Sequence, residues 1–122
     1  MNPNVTAEGA YDPNGLIAGS GDIVTRDITL TGAAALTPGA VLGMITATGL
    51  YQLSLAAAVD GSQVARAILV EAADSTGGNV NAPIYDAGEF DEAKLSFGTG
   101  HTAATVREDL RAVGIHLKQV LA

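Results

Sequence analysis

Residues 38–69, PGAVLGMITATGLYQLSLAAAVDGSQVARAIL, form the stretch that decides the fold. Its short apolar segments are separated by three turn signals: Pro38-Gly39, Thr48-Gly49 and Asp60-Gly61-Ser62. Proline presets φ for a turn, and glycine accepts the positive φ that several turn types need. The stretch therefore predicts a series of β-strands, with a hairpin that joins residues 41–45 to 51–55 and a further strand at 65–70.

Strands are also predicted on both sides of this stretch. Apolar and polar residues alternate from Ile23 onwards, which predicts a strand there. Residues 80–85 favour an edge strand, because Pro83 cannot donate a hydrogen bond to a neighbouring strand. Alternation returns in residues 115–121 and predicts a final strand.

Residues 102–113 are predicted to form the one helix. The apolar residues that recur there at helical spacing are Val106, Leu110 and Val113. Thr102 or Thr105 can cap the N-terminus, and Glu108 lies three residues after Thr105, as in a capping box. Gly114 follows at the position where a helix commonly ends on glycine. The whole pattern predicts a mainly β fold with one short helix.

The composition indicates one folded domain with a thin core. The chain has 122 residues, of which 48% are hydrophobic but only 4% are aromatic. Small aliphatic side chains must then fill the core, and such limited burial suggests that oligomerisation supplies part of the stability. The absence of cysteine excludes disulfides and thiolate metal sites.

The charge excludes a large class of partners. The net charge is −7 at pH 7, and the six basic residues are spread singly along the chain. Nucleic-acid binding needs clustered Lys and Arg to contact phosphates, so we expect no nucleic-acid partner. We also expect no membrane partner and synthesis in the cytoplasm, because no apolar run is long enough to span a bilayer and the first residues lack a signal-peptide pattern.

Motifs of catalytic and cofactor-binding proteins occur only in incomplete form. Residues 98–103, GTGHTA, match a dinucleotide fingerprint, but no acidic residue follows about twenty positions later. Asp74-Ser75-Thr76-Gly77 has one residue too many for an aspartic protease motif, and no G-x-S-x-G serine elbow occurs. His101 and His116 lack any companion metal-ligand motif. We therefore predict no enzymatic activity and no cofactor.

One acidic group has the residue types that a metal ion needs. It consists of Asp86, Glu89, Asp91 and Glu92. Four carboxylates could hold Ca²⁺, but their spacing does not follow an EF-hand and Phe90 intervenes. A solvated charged face, or charges at a helix start, is the favoured interpretation.

Residues 1–22 differ from the rest of the chain in composition and periodicity. They are predicted to form an extended N-terminal arm ahead of a β-rich domain over residues 23–122. The arm is rich in Asn, Pro and Gly, and its apolar residues follow no period. An extended peptide can add a strand to a neighbouring protein's sheet while its apolar side chains fill shallow pockets. The candidate anchors are Val5, Tyr11, Leu16 and Ile17. The alternative is a flexible tail with no role.

Five short pieces of sequence resemble, in order, the head decoration proteins of lambda-like tailed bacteriophages. They are Gly-x-Val-Leu-Gly from Gly39, Thr-Gly-x-Tyr from Thr48, Asp-Gly-Ser-Gln-x-Ala-x-Ala-Ile-Leu from Asp60, Ala-Gly-Glu-Phe from Ala87 and Leu-x-x-x-Gly-Ile from Leu110. The resemblance covers roughly the last hundred residues.

The resemblance implies a β-clip-like subunit of a homotrimer. Such a trimer would bind the outer surface of the expanded phage head, contact the major capsid protein and stabilise the shell as a cement protein against the pressure of packaged DNA. It would be made in the host cytoplasm and would need no cofactor. The alternative from another class is a free-standing small β-rich module that binds a ligand with its loops. Light scattering separates the two, because a trimer favours the decoration protein and a tight monomer favours the binding module.

Overall fold

The computed structural model describes residues 23–118, and the fold is mainly β with one short α-helix, as the sequence predicts. In chain order the elements are β1 (Val24–Leu30), β2 (Ala35–Leu36), β3 (Val41–Met44), β4 (Tyr51–Leu53), β5 (Ala65–Leu69), β6 (Ala73–Asp74), β7 (Val80–Asp91), a 3₁₀ turn (Glu92–Lys94), α1 (Ala103–Ala112) and β8 (Ile115–Lys118). The predicted arm lies outside the described residues, as does the end of the predicted final strand.

Five of the strands close into a barrel-like sheet. Their order is β1, β4, β3, β5 and β7, and β7 pairs back onto β1. Leu30 is the closing point, because it pairs in parallel with Tyr51 of β4 and antiparallel with Val80 of β7. The predicted hairpin is confirmed, with Met44 of β3 paired to Tyr51. β8 extends the sheet by pairing in parallel with the second half of β7, and β2 and β6 form a separate ribbon.

The prediction of an edge strand at residues 80–85 is wrong for Ile84 and Tyr85 of β7, which have strand partners on both sides, whereas residues 80–82 pair with β1 alone. The first half of β7 pairs with β1, and Ile84 and Tyr85 also pair with β5. Pro83 fits there because its carbonyl accepts a hydrogen bond from the Val70 backbone N–H, one residue beyond the end of β5. Pro83 has no N–H to donate to β5, and none is needed because the pairing of β5 with β7 ends at this position.

The central strands β3 and β5 are buried on both faces of the sheet, which explains their nearly continuous apolar runs. One face points into the barrel, where the buried residues are Ile28, Leu30, Ala40, Leu42, Tyr51, Ala67, Leu69, Ala82 and Ile84. The other face packs against α1 and β8 through Val41, Ala65, Ile68, Tyr85, Phe90, Leu95, Val106, Leu110 and Ile115. Successive side chains of a strand point to opposite faces of the sheet, so the neighbours Val41 and Leu42 belong to different clusters.

The helix begins and ends where the sequence predicts, but its cap differs. Thr102 is the N-cap, and its backbone N–H donates to Thr105 Oγ1 at 2.8 Å. The capping box therefore joins Thr102 and Thr105, and the predicted pairing of Thr105 with Glu108 is wrong. Gly114 follows the C-cap with a φ of +95° and donates its N–H to the Arg111 carbonyl.

Candidate interaction surface

Exposed apolar side chains concentrate in one loop between β4 and β5. Val59 is 95% exposed, Val64 is 43% exposed and Leu55 is 39% exposed. The only other large hydrophobic side chain exposed within residues 23–118 is Val24. We call residues 55–64 the apolar loop. Three large exposed apolar side chains within ten residues make this loop the candidate interaction surface, because large exposed apolar patches mark interaction sites.

The base of the apolar loop lies against two glycines that leave no room for a side chain. A Cβ on Gly43 of β3 would overlap the backbone carbonyl oxygen of Ser62. A Cβ on Gly98 would overlap the carbonyl oxygen of Ser54, which directly precedes the loop. Backbone from three distant parts of the chain thus packs at van der Waals contact, and the base of the loop is fixed by that packing.

Hydrogen bonds from two buried serines and one histidine tie the same base together. Ser54 Oγ donates to the Ser62 carbonyl at 2.7 Å, and both side chains are fully buried. His101 Nε2 lies 3.1 Å from Ser54 Oγ and 3.1 Å from the Gln63 carbonyl oxygen. His101 Nδ1 lies 3.0 Å from Thr105 Oγ1 in the first turn of α1.

This arrangement positions the loop and is unsuited to activating a serine. A carbonyl oxygen can only accept, so the contact with Gln63 places a proton on His101 Nε2. The Ser54 hydroxyl proton already points to Ser62, and Nε2 therefore donates toward Ser54 Oγ. A general base would need the opposite polarity, with Nε2 accepting the serine proton.

Asp60 is the acidic residue of the apolar loop, and its carboxylate accepts hydrogen bonds from Ser62 and Gln52. Its Oδ1 accepts from the Ser62 N–H at 3.0 Å and from Ser62 Oγ at 2.6 Å, while its Oδ2 accepts from Gln52 Nε2 at 3.3 Å. These hydrogen bonds, that from Ser62 Oγ first, hold the pKa of the Asp60 carboxyl below its usual value. An ionised carboxylate therefore lies at the surface directly after Val59.

An open groove of about 410 Å³ lies beside the loop, between α1 and the strands. Its lining is Met44, Thr46, Gly61, Val64, Ala65, Arg66, Glu108, Asp109, Ala112 and Val113. Arg66 is exposed and makes no hydrogen bond or ion pair within residues 23–118. Glu108 is engaged by Arg111 at 3.6 Å. The lining of the groove thus combines apolar side chains with the charges of Arg66, Glu108 and Asp109.

The acidic group that could have held a metal ion is distributed among separate partners. Three of its members pair with different basic residues: Asp86 with Arg26 at 2.7 Å, Glu89 with Lys118 at 2.8 Å and Glu92 with Arg107 at 2.6 Å. Asp91 caps the 3₁₀ turn through Oδ1, which accepts the Ala93 N–H at 3.0 Å. The favoured interpretation, charges on a surface and at a helix start, agrees with these contacts. No set of three metal-ligating side chains comes together within the described part of the chain.

The other motifs singled out in the sequence lie apart from one another. Asp74 accepts the Thr76 N–H at 2.9 Å in an exposed turn, and His116 is exposed on β8. The glycines of residues 98–103 form the loop that carries His101 to the base of the apolar loop. No helix within residues 23–118 is long and apolar enough to cross a membrane. The candidate anchors Val5, Tyr11, Leu16 and Ile17 lie outside the described residues.

The apolar loop is the site that the sequence did not predict. Its residues Leu55-Ala56-Ala57-Ala58-Val59 form an apolar run like those of the buried strands, and hydrophobicity alone does not distinguish a buried run from an exposed one. The available signal is composition, because three consecutive alanines neither favour a strand nor fill a core.

A comparison with protein families supplies the identification. The family model described as bacteriophage lambda head decoration protein D matches residues 5–116. The chain belongs to this family. The suspected family is therefore confirmed, and the chain is a phage head decoration protein, associated with the capsid of the virion. A comparison with curated proteins found no match.

Proposed function

We propose that this head decoration protein is a homotrimeric cement protein that binds the outer surface of the expanded phage head. In this role each trimer contacts several major capsid subunits and holds them together against the outward pressure of packaged DNA. The observation that carries the proposal is the family match over residues 5–116. The net charge of −7 supports the outer face, because an acidic chain is repelled by DNA inside the shell.

The arm is the proposed capsid-binding element. Strand addition by residues 1–22 would supply main-chain hydrogen bonds, with Val5, Tyr11, Leu16 and Ile17 as apolar anchors. Three arms on one trimer make the second and third contacts effectively intramolecular, so weak single contacts sum to tight attachment. If the trimer binds the expanded shell and not its precursor, binding itself stabilises the expanded state.

Binding to shells that lack the protein tests the proposal. The full chain is mixed with expanded shells and with unexpanded shells of its phage, and co-sedimentation gives the bound fraction of each. We expect saturable binding to expanded shells only, and a higher temperature of DNA release from filled heads that carry the protein. Absence of binding to expanded shells would contradict the proposal.

A ligand-binding module remains the second candidate, and the groove beside α1 is the observation that favours it. Its volume of about 410 Å³ lies within the range of small-molecule sites. Its lining contains no aromatic side chain on which a sugar or nucleotide could stack. A monomer in sedimentation that fails to bind shells would favour this alternative.

A further inference from the structure

We propose that the bond between Asp60 and Gly61 is a latent site of aspartate isomerisation that the folded apolar loop keeps unreactive. Hydrogen bonds to Ser62 and Gln63 restrain the two reacting groups. The pair is the one Asp-Gly dipeptide in the sequence. Glycine has no side chain to shield its backbone nitrogen, so this nitrogen can attack the aspartate carboxyl that precedes it. This chemistry belongs to the single chain and does not depend on the proposed capsid assembly.

The reaction converts an aspartyl residue into its β-linked isomer in two steps. The Gly61 nitrogen forms a bond to Asp60 Cγ and loses its proton, while the protonated carboxyl releases one oxygen as water, and a five-membered succinimide ring results. Water then opens the ring at either carbonyl and gives aspartate or isoaspartate. Isoaspartate has one more carbon in the main chain, so the backbone after Val59 would lengthen and the carboxylate would leave its present partners.

Hydrogen bonds from Ser62 restrain the Asp60 carboxyl. Its Oδ1 accepts from the Ser62 backbone N–H at 3.0 Å and from Ser62 Oγ at 2.6 Å. These hydrogen bonds, that from Ser62 Oγ first, lower the pKa of the carboxyl. Water leaves only from a protonated carboxyl, so the ionised form is unreactive. The same hydrogen bonds oppose the rotation that would bring Cγ to the Gly61 nitrogen.

The Gly61 nitrogen is restrained as well. Its N–H donates to Gln63 Oε1 at 2.9 Å. The nitrogen must lose this proton during ring closure, so the hydrogen bond to Gln63 has to break first. Backbone hydrogen bonds hold the neighbouring carbonyls: that of Asp60 accepts from the Thr46 N–H at 2.9 Å, and that of Gly61 accepts from the Val64 N–H at 3.3 Å. The fold therefore restrains both reacting groups.

The structure also shows why this loop contains a labile pair. Gly61 has a φ of +104°, which other residues rarely adopt, and a Cβ there would overlap Thr46 Oγ1. Asp60 is the acceptor for two hydrogen bonds from Ser62. The loop thus depends on both residues of the pair, and its own hydrogen bonds suppress the reaction to which that pair is prone.

Asp74 and Ser75 provide a reference within the same chain. Asp74 Oδ1 accepts from the Thr76 N–H at 2.9 Å, and the Ser75 N–H donates to the Ala34 carbonyl at 3.0 Å. These contacts do not involve Gln63. The isomerisation rate at Asp74 therefore reports whether a substitution at Gln63 has opened the whole fold.

Peptide mapping of the aged full chain tests the proposal. Trypsin releases residues 27–66 as one peptide, and its isoaspartate form has the same mass but elutes separately. The chain is incubated at mildly acidic pH, either folded in buffer or unfolded in guanidinium chloride. We expect isoaspartate at residue 60 to form at least about tenfold faster in the unfolded chain, because no hydrogen bonds have to break there. Asp60→Glu should abolish the new peak, because glutamate would have to close a six-membered ring.

A variant of Gln63 separates the local restraint from overall stability. Gln63→Met keeps the length of the side chain and removes the acceptor of the Gly61 N–H. We expect isomerisation at residue 60 of the folded variant to be about fivefold faster, the factor that matches one lost hydrogen bond, with an unchanged rate at Asp74. An unchanged rate at residue 60, or equal acceleration at residues 60 and 74, would overturn the proposal. So would equal rates in the folded and unfolded wild type, or no isoaspartate in either. Shell binding by the wild type is measured separately, so failure of the proposed function leaves these outcomes distinct.

Discussion

His101 Nε2 lies 3.1 Å from Ser54 Oγ, across 47 residues of sequence, and this contact joins the glycine loop before α1 to the base of the apolar loop. The same nitrogen reaches the carbonyl of Gln63 on the other side of that loop. A single imidazole therefore fixes both ends of the segment that presents Val59. The sequence offered His101 only as an isolated histidine in a glycine loop; its role follows from the closure of the fold.

Replacing His101 by alanine should loosen the apolar loop. The substitution leaves the Gln63 carbonyl and Ser54 Oγ without their donor, and a buried polar group without a partner costs about 1–3 kcal/mol. Urea unfolding should show this loss, and hydrogen exchange of the backbone N–H groups of residues 55–64 should accelerate. His116→Ala is the control, because His116 is exposed on β8, and its effect should stay within about 0.5 kcal/mol. Equal stability of the two variants would contradict the structural role of His101.

Gly43→Ala and Gly77→Ala should have opposite outcomes. At Gly43 the new Cβ would overlap the Ser62 carbonyl oxygen, and backbone on both sides prevents relief, so we expect a loss of about 3 kcal/mol or a failure to fold. At Gly77 nothing lies within 4 Å, and alanine should be neutral or stabilise by up to about 1 kcal/mol through the unfolded state. Denaturant unfolding of both variants measures the difference. A tolerated Gly43→Ala would show that the loop base can move away from β3.

Asp60 should make the chain sensitive to acid in a defined direction. Hydrogen bonds from Ser62 hold its folded pKa below the ordinary value of 3.8. Because the folded pKa is the lower one, the carboxylate contributes stability above pH 3.8, and this contribution is lost as the pH falls through the folded pKa. An NMR titration of the Asp60 carboxyl should give a value below 3.8. Asp60→Asn should lose less stability than the wild type on acidification, and an equal loss would contradict this assignment.

The parts of the fold that local sequence encodes were predictable. The helix of residues 103–112 has its cap at Thr102 and its terminating glycine at Gly114, both within one turn of its ends. The hairpin from β3 to β4 is likewise specified by the turn residues between its strands. These signals act over a few positions, so sequence order alone reveals them.

The parts that depend on distant partners were not predictable. Pro83 by itself indicates an edge strand. Its actual environment, opposite Val70 just beyond the end of β5, depends on a residue that is distant in sequence. The exposure of Val59 depends in the same way on where neighbouring loops lie. The same apolar residue types occur in cores and at interfaces, so the sequence does not show which apolar run is exposed. The folded structure is needed to identify the candidate surface.

Deleting residues 1–21 should separate capsid attachment from trimer assembly. The core and the exposed apolar side chains of the described domain lie after residue 22, so the shortened chain should still fold and form the proposed trimer. Without the arm it should lose strand addition to the capsid protein and bind expanded shells weakly or not at all. Sedimentation of the chain alone and of its mixtures with shells measures both properties.

Substitutions within the arm sharpen the same prediction. Leu16→Asp with Ile17→Asp should weaken shell binding as the deletion does, because buried carboxylates without partners cost several kcal/mol. Asn2→Asp with Asn4→Asp adds the same charge at polar positions and should bind nearly as the wild type does. Full-strength binding by the deletion variant would remove the arm from the capsid contact while leaving the family assignment intact. Loss of the trimer on deletion would instead place the arm in the interface between subunits.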